Sequence, residues 1–101
     1  MSRKLNPEKI NIGLLALHPD WTINPAMDQI ECQFAFDNYY QSMAFANSVA
    51  WIAHQYDHHL QMWISYNSCQ IQYSTHAVDG LSDLDFDCAR AIDALLDKKH
   101  G

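Results

Sequence analysis

The sequence predicts an α+β domain in which three helices pack on one face of a four-stranded antiparallel sheet, in the order α-β-β-α-β-β-α. Two stretches, Ile30 to Phe36 and Cys69 to Thr75, alternate apolar and polar residues with period two, as half-buried strands do. Each has a second short extended piece beside it across turn-forming residues, which makes two hairpins. Three further stretches repeat apolar residues with a period near 3.6, the pattern of a helix with one buried face. Helices covering one face of an antiparallel sheet is the natural packing for such a set.

Taken in order, Asn6 caps the first helix and Pro7 takes its first position, where a missing N–H costs nothing. Ile10, Leu14 and Leu17 recur at helical spacing until His18-Pro19-Asp20 ends the element. Trp21-Thr22-Ile23 is extended, Asn24 to Asp28 holds turn formers, and Ile30, Cys32, Phe34 and Phe36 point one way along the next strand. From Asp37, read as an N-cap, the period changes. Tyr39, Met43, Ala46, Ala50 and Ala53 form one row and Phe45, Val49, Ile52 and Tyr56 its neighbour, giving the longest helix over 38–56.

Met62 to Tyr66 is extended, Asn67-Ser68 suits a tight turn, and Cys69, Ile71, Tyr73 and Thr75 share one face of the following strand. The last helix opens with Ser82 three residues before Asp85, a capping-box spacing, and with Leu81 placed to staple onto Phe86. Leu84, Cys88, Ile92 and Leu95 carry it toward Lys98-Lys99, whose charges suit a helix C-terminus. His100 reads as a solvated residue of a frayed tail. Trp51 in the long helix and Trp63, Tyr66 and Tyr73 in strands read as packing residues.

Length and composition bound the class. A chain of 101 residues suits a single domain over 1–101 with one core, and a hydrophobic fraction of 49% is too high for disorder. No apolar run has the length of a membrane span or of a secretory leader, so a soluble, cytoplasmic protein without a membrane partner is expected. Cys32, Cys69 and Cys88 are odd in number and lie among apolar residues, as buried free thiols in a reducing compartment would. The net charge of −6, with Lys and Arg mainly at the two ends, disfavours direct nucleic-acid binding.

The chemistry-bearing signal is a cluster of histidines. His54, His58 and His59 gather at the end of the long helix and His76 ends the second hairpin. If 54–58 is helical, His54 and His58 lie one turn apart on one face while His59 points elsewhere. Such residues are compatible with three roles. Imidazoles near a helix C-terminus interact favourably with its dipole. H-x-x-x-H is a metal-ligand spacing, although Gln55 stands where a zinc protease has its glutamate and no cysteine pair is near. Acid–base chemistry is the third, because an imidazole titrates near neutral pH and both donates and accepts protons there. Dehydration needs both acts at once, and paired histidines supply them.

Read together, His54, His58-His59, Tyr66, His76 and Asp85 at their present spacing resemble the signature of the pterin-4a-carbinolamine dehydratase family. The surrounding words are similar too: Gln33-Phe34-Ala35-Phe36, Asp57-His58-His59, Tyr66-Asn67, Ser74-Thr75-His76 and Gly80-Leu81-Ser82. The likeness runs from Trp21 to Leu96. It implies the same three-helix, four-stranded fold, and dehydration of 4a-hydroxytetrahydrobiopterin to quinonoid dihydrobiopterin in tetrahydropterin recycling. It also implies a homodimer or homotetramer with dimer sheets joined edge to edge, partnership with phenylalanine hydroxylase, and no cofactor or metal, since the pterin is the substrate.

By the resemblance, His58 and His76 correspond to the principal acid–base histidines, His59 to the one that orients the pterin, and Asp85 to the final carboxylate. Asp85 also has a purely helical reason to be aspartate, as the third residue of a capping box. His54, Asp57, Ser74 and Thr75 are the expected substrate-binding residues. Leu60 replaces the small residue, most often proline, that usually follows the two histidines, Gln61-Met62 replaces a common Glu-Trp pair, and Gln70 stands where some members carry another histidine. Vertebrate relatives also act as dimerisation cofactors for a homeodomain transcription factor, so a non-enzymatic binding role is the alternative.

Overall fold

The structure is a computed structural model that describes residues 3–97. Its elements are α1 (Pro7–Leu15), β1 (Thr22–Ile23), β2 (Ile30–Ala35), α2 (Tyr39–Tyr56), β3 (Gln61–Ser65), β4 (Ser68–Tyr73) and α3 (Asp83–Asp97). A 3-10 turn, His76–Val78, lies between β4 and α3. The order is the expected one. All four strands pair antiparallel in the spatial sequence β1-β2-β4-β3, so β2 and β4 are central and join the two hairpins.

Alternation decides which face is covered. Ile30, Cys32 and Phe34 of β2 and Cys69, Ile71 and Tyr73 of β4 are buried, and the residues between them are half-buried or exposed. The inward side chains join Ile10, Val49, Ile52, Leu81, Phe86, Cys88 and Ile92 from the helices in one cluster. Phe34, Phe36 and Phe45 pack with centroids 4.7 and 5.0 Å apart, which fixes the start of α2 over the end of β2. The outer face keeps Glu31, Gln33, Gln70 and Gln72 at its surface.

Local chemistry sets the helix ends. Asn6 accepts from the Lys9 N–H, as expected. At α2 the cap is Asn38, one residue later than the expected Asp37: Asn38 Oδ1 accepts from the Gln41 N–H while Gln41 Oε1 accepts from the Asp37 N–H. A reciprocal pair satisfies two otherwise free donors, which a lone Asp37 cap would not. Ser82 and Asp85 open α3, with the Ser82 N–H bonded to Asp85 Oδ2, and both Leu81 and Phe86 are buried. Lys98, Lys99 and His100 lie outside the described residues.

Several expectations are corrected. The β3–β4 turn is Tyr66-Asn67 and Ser68 begins the strand, so Tyr66 is an exposed turn residue. The buried face of α2 is Ser42, Phe45, Ala46, Val49 and Ile52, while Tyr39 and Ala50 face outward. Trp51 and Trp63 are 60% and 50% exposed. Sequence periodicity marks which residues are apolar, whereas the sheet covers only one side of α2 and nothing described pairs with the outer edge of β3. Tyr56 on α2, Ile64 on β3 and Tyr66 at the turn are exposed as well, so large apolar side chains face outward on both elements.

The three cysteines are buried and unpaired. Burial, with the nearby Asp20 and Asp93 charges, pushes the Cys32 thiol up to about 12, and burial raises Cys69 and Cys88 to about 11. Native protein should therefore resist an exposed-thiol reagent at pH 8 and react at three sites in denaturant. Because the folded values lie above the unfolded value of 9.0, the stability linked to these thiols is complete below pH 9. It declines as pH rises above 9 and is lost by the folded values, so denaturation at pH 10.5 should show lower stability than at pH 8. A second expectation concerns Gly13, where an added Cβ would lie 2.7 Å from the Phe86 ring. Gly13→Ala gains about 1 kcal/mol of helix propensity, but overpacking costs about 1–3 kcal/mol. A lower urea midpoint is expected.

Candidate active site

The site begins where α2 stops. Asp57 adopts the left-handed conformation, with φ 50° and ψ 47°, a region that Asp tolerates better than most residues. Its N–H bonds to the His54 carbonyl at 3.1 Å and the His58 N–H to the Ala53 carbonyl at 3.0 Å, closing the helix. The helix therefore does not continue to His58. His54 and His58 do not share a face, because the turn at Asp57 sends His58 inward and leaves His59 exposed.

His58 is 8% exposed, and its Nε2 lies 2.6 Å from Asp85 Oδ1. Its ring stacks on Tyr73, with centroids 5.5 Å apart and planes 9° from parallel. Asp85 is fully buried, yet its other oxygen accepts from Thr75 Oγ1 at 2.7 Å and the Ser82 N–H at 2.9 Å. The Thr75 and Ser82 hydroxyls are 2.8 Å apart. A carboxylate out of water needs such a set of donors. Burial, the Cys88 thiol beside it and the Asp85 charge push the Tyr73 phenol up from its ordinary value.

Thr75 also organises the loop that carries His76. Its N–H bonds to the Gly80 carbonyl at 2.7 Å and its carbonyl accepts from Gly80, so residues 75–80 form a closed loop. Asp79, left-handed at φ 53°, completes the turn. His76 consequently opens the 3-10 turn rather than ending the hairpin, and it is exposed. His59, just before β3, and His76, just after β4, flank the open end of that hairpin and line one cavity of about 290 Å³ with Gln29, Leu60, Gln61, Gln72 and Ser74. Its volume is close to the lower end for small-molecule sites. An adjoining cavity of about 200 Å³, between Asp28, Thr75, Asp79 and Gly80, shares Gln29, Ser74 and His76.

The expected site residues thus divide by position. His59, His76 and Ser74 line the main cavity, and Thr75 the adjoining one. His58 and Asp85 form a buried pair joined to that wall through Thr75. His54 and Asp57 are exposed and line neither cavity; the His54 ring lies 5.5 Å from Trp51. Among the described residues no group of three His, Cys, Asp or Glu is placed to hold a metal ion.

Gln29 and Gln72 were not among the expected site residues. Strand alternation carried the signal for Gln72, which shares the outward face with Ser74. The register Ile30↔Tyr73 sets Gln29 beside Ser74, a pairing visible only once β2 and β4 are aligned.

An α+β fold with two imidazoles on one cavity wall and a buried histidine–carboxylate pair behind it defines a protein equipped for acid–base work on a small molecule. Residues 3–95 match the family profile described as Pterin 4 alpha carbinolamine dehydratase, and the chain belongs to that family. A protein of Nitrosomonas eutropha, provisionally named a pterin-4-alpha-carbinolamine dehydratase, is 47% identical over 92 residues, covering 91% of this chain and 80% of that protein. Among solved structures, a transcriptional coactivator/pterin dehydratase from Brucella melitensis has a TM-score of 0.87 at 27% identity, over 92% of this chain and 98% of that one. A pterin dehydratase-like protein identified as a RuBisCO assembly factor in the alpha-carboxysome has a TM-score of 0.66 over 77% of this chain and 90% of that one; at 23% identity it shows the fold alone.

The buried carboxylate yields a stability prediction. Asp85→Ala would strand His58 Nε2, the Thr75 hydroxyl and the Ser82 N–H without an acceptor, at a cost of about 3–5 kcal/mol. Asp85→Asn, which retains one acceptor oxygen, should lose about 1–3 kcal/mol. Chemical denaturation of both variants would check the order.

Proposed function

We propose that the protein dehydrates 4a-hydroxytetrahydrobiopterin to quinonoid dihydrobiopterin and water by histidine acid–base catalysis. The observation that carries this reading is that His59 and His76, reaching in from two separate segments, line one cavity. Family membership supports the substrate class.

In the reaction one imidazolium gives its proton to the hydroxyl leaving C4a, and one neutral imidazole takes the proton from N5. The C4a–O bond breaks, the N5=C4a bond forms, and water departs. The two imidazoles end with exchanged protonation states, which proton exchange with solvent restores. His59 and His76 are the pair whose position suits direct transfer. His58, its Nε2 committed to Asp85 and its ring held by Tyr73, supports them from behind and retains Nδ1 as its other exchange site. Ser74 offers its hydroxyl and backbone groups to the bound ring's edge, and Thr75, its own groups committed to Asp85 and Gly80, shapes the wall beside it. The site needs no cofactor, because the pterin is the substrate.

The protein works in the cytoplasm as a homo-oligomer, in tetrahydropterin recycling beside an aromatic amino-acid hydroxylase such as phenylalanine hydroxylase. The exposed Trp51, Tyr56, Trp63, Ile64 and Tyr66 supply apolar surface suited to self-association. Among the described residues no helix is long and apolar enough to cross a membrane. A non-enzymatic binding role is the second reading, favoured by that same aromatic surface and by the coactivator named in the Brucella structure.

His59→Ala and His76→Ala should each lower kcat/KM for 4a-carbinolamine dehydration by about 100-fold or more. Both side chains are exposed, so thermal unfolding should barely move. Full activity in both variants ends the enzymatic reading, and a stable complex with a protein partner without pterin turnover would support the second.

A further inference from the structure

Three glutamines line the main cavity, and only one has a fixed amide. Gln72 Nε2 donates to Glu31 Oε2 at 3.0 Å, and Gln70 Nε2 donates to the same oxygen at 2.8 Å. Glu31 is the cross-strand neighbour of Gln72 on β2, and Gln61 is its neighbour on β3. The side chains of Gln29 and Gln61 make no hydrogen bond among the described residues, so no partner there selects which end of either amide faces the cavity. An ionised carboxylate only accepts, so the end of Gln72 that meets Glu31 must be its NH2 group. The carbonyl Oε1 of Gln72 is then left without a hydrogen bond among the described residues, on a side chain that lines the cavity.

We infer that Gln72, with its amide orientation locked by Glu31, reads the 2-amino group of the bound pterin ring through its free Oε1. This rests on the pterin reading above and assigns the site's discrimination to a pair outside the histidine machinery. Gln72 is the contact and Glu31 the positioning residue. A 2-amino group is a donor and is accepted by Oε1. A 2-oxo group is an acceptor and meets another acceptor. An unanchored glutamine would rotate its NH2 toward the 2-oxo ring and bind both; the Glu31 bond opposes that rotation. A site that cannot reorient rejects the wrong partner because a polar pair is left unmade.

The probes are two fluorescent rings that differ at this position, pterin (2-amino) and lumazine (2-oxo), with dissociation constants measured for the full chain by titration calorimetry. Wild-type protein should bind pterin at least tenfold more tightly than lumazine. Gln72→Leu should bring the ratio to within about threefold of unity by weakening pterin. Glu31→Leu should do so by strengthening lumazine, a result that a merely structural role for Glu31 would not give. Both positions lie on the outer face of the sheet, and unchanged unfolding midpoints would confirm that the variants are folded. A ratio unchanged in both folded variants, with wild type still binding pterin, overturns this inference and leaves the dehydratase reading standing. Failure of wild type to bind pterin at all overturns both.

Discussion

The carboxylate of Asp85 is the constraint on which the site depends. It is fully buried, so its charge must be met inside the protein, and three donors from three segments meet it. His58 comes from the chain leaving α2, Thr75 from the end of β4, and the Ser82 N–H from the start of α3. A single buried charge thereby ties the exit of one helix, the end of a central strand and the entry of another helix to one point. The residues adjoining these anchors are His59 and His76. Their approach to a common cavity follows from that tie, because each sits one residue from a group held by, or hydrogen-bonded to, Asp85.

Two left-handed turns complete the arrangement. At Asp57 the backbone reverses just after the last turn of α2, sending neighbouring histidines to opposite sides, one into the interior and one to the cavity wall. At Asp79 a second reversal closes the short loop that presents His76. The Thr75–Gly80 bridge then keeps that loop short and stiff. Leu60, next after the two histidines, lines the cavity directly. The backbone hydrogen bonds around Asp57 set the direction in which the two histidines leave α2, and Leu60 is an apolar wall beside His59.

Site and surface divide the sheet's outer side between them. Around Gln72 the outer face is a hydrogen-bonded patch centred on Glu31. Toward the β3 edge Trp63 is exposed beside Gln70 on that face and Tyr66 at the turn, whereas Trp51 is exposed on α2, on the other side of the sheet. The hydrogen-bonded patch thus adjoins the cavity, and the exposed apolar side chains lie away from it.

Most of the fold was legible in the sequence because its cues are local. Period-two alternation fixed which residues of β2 and β4 turn inward, Asn6-Pro7 fixed the start of α1, and Ser82 with Asp85 fixed the start of α3. The histidine cluster and its spacing to Asp85 were equally visible as identities. The rest required neighbours distant in the chain. Periodicity cannot tell which apolar stripe of α2 the sheet will cover, nor that β3 is an edge strand, so Trp51 on α2 and Trp63 on β3 stand in solvent where packing residues are expected. Helical spacing put His54 and His58 together, but the left-handed turn at Asp57 separated them. The sequence by itself determined the elements and the chemical groups; only tertiary structure decided which groups meet, because burial of Asp85 and the β2–β4 register join segments tens of residues apart that no local pattern relates.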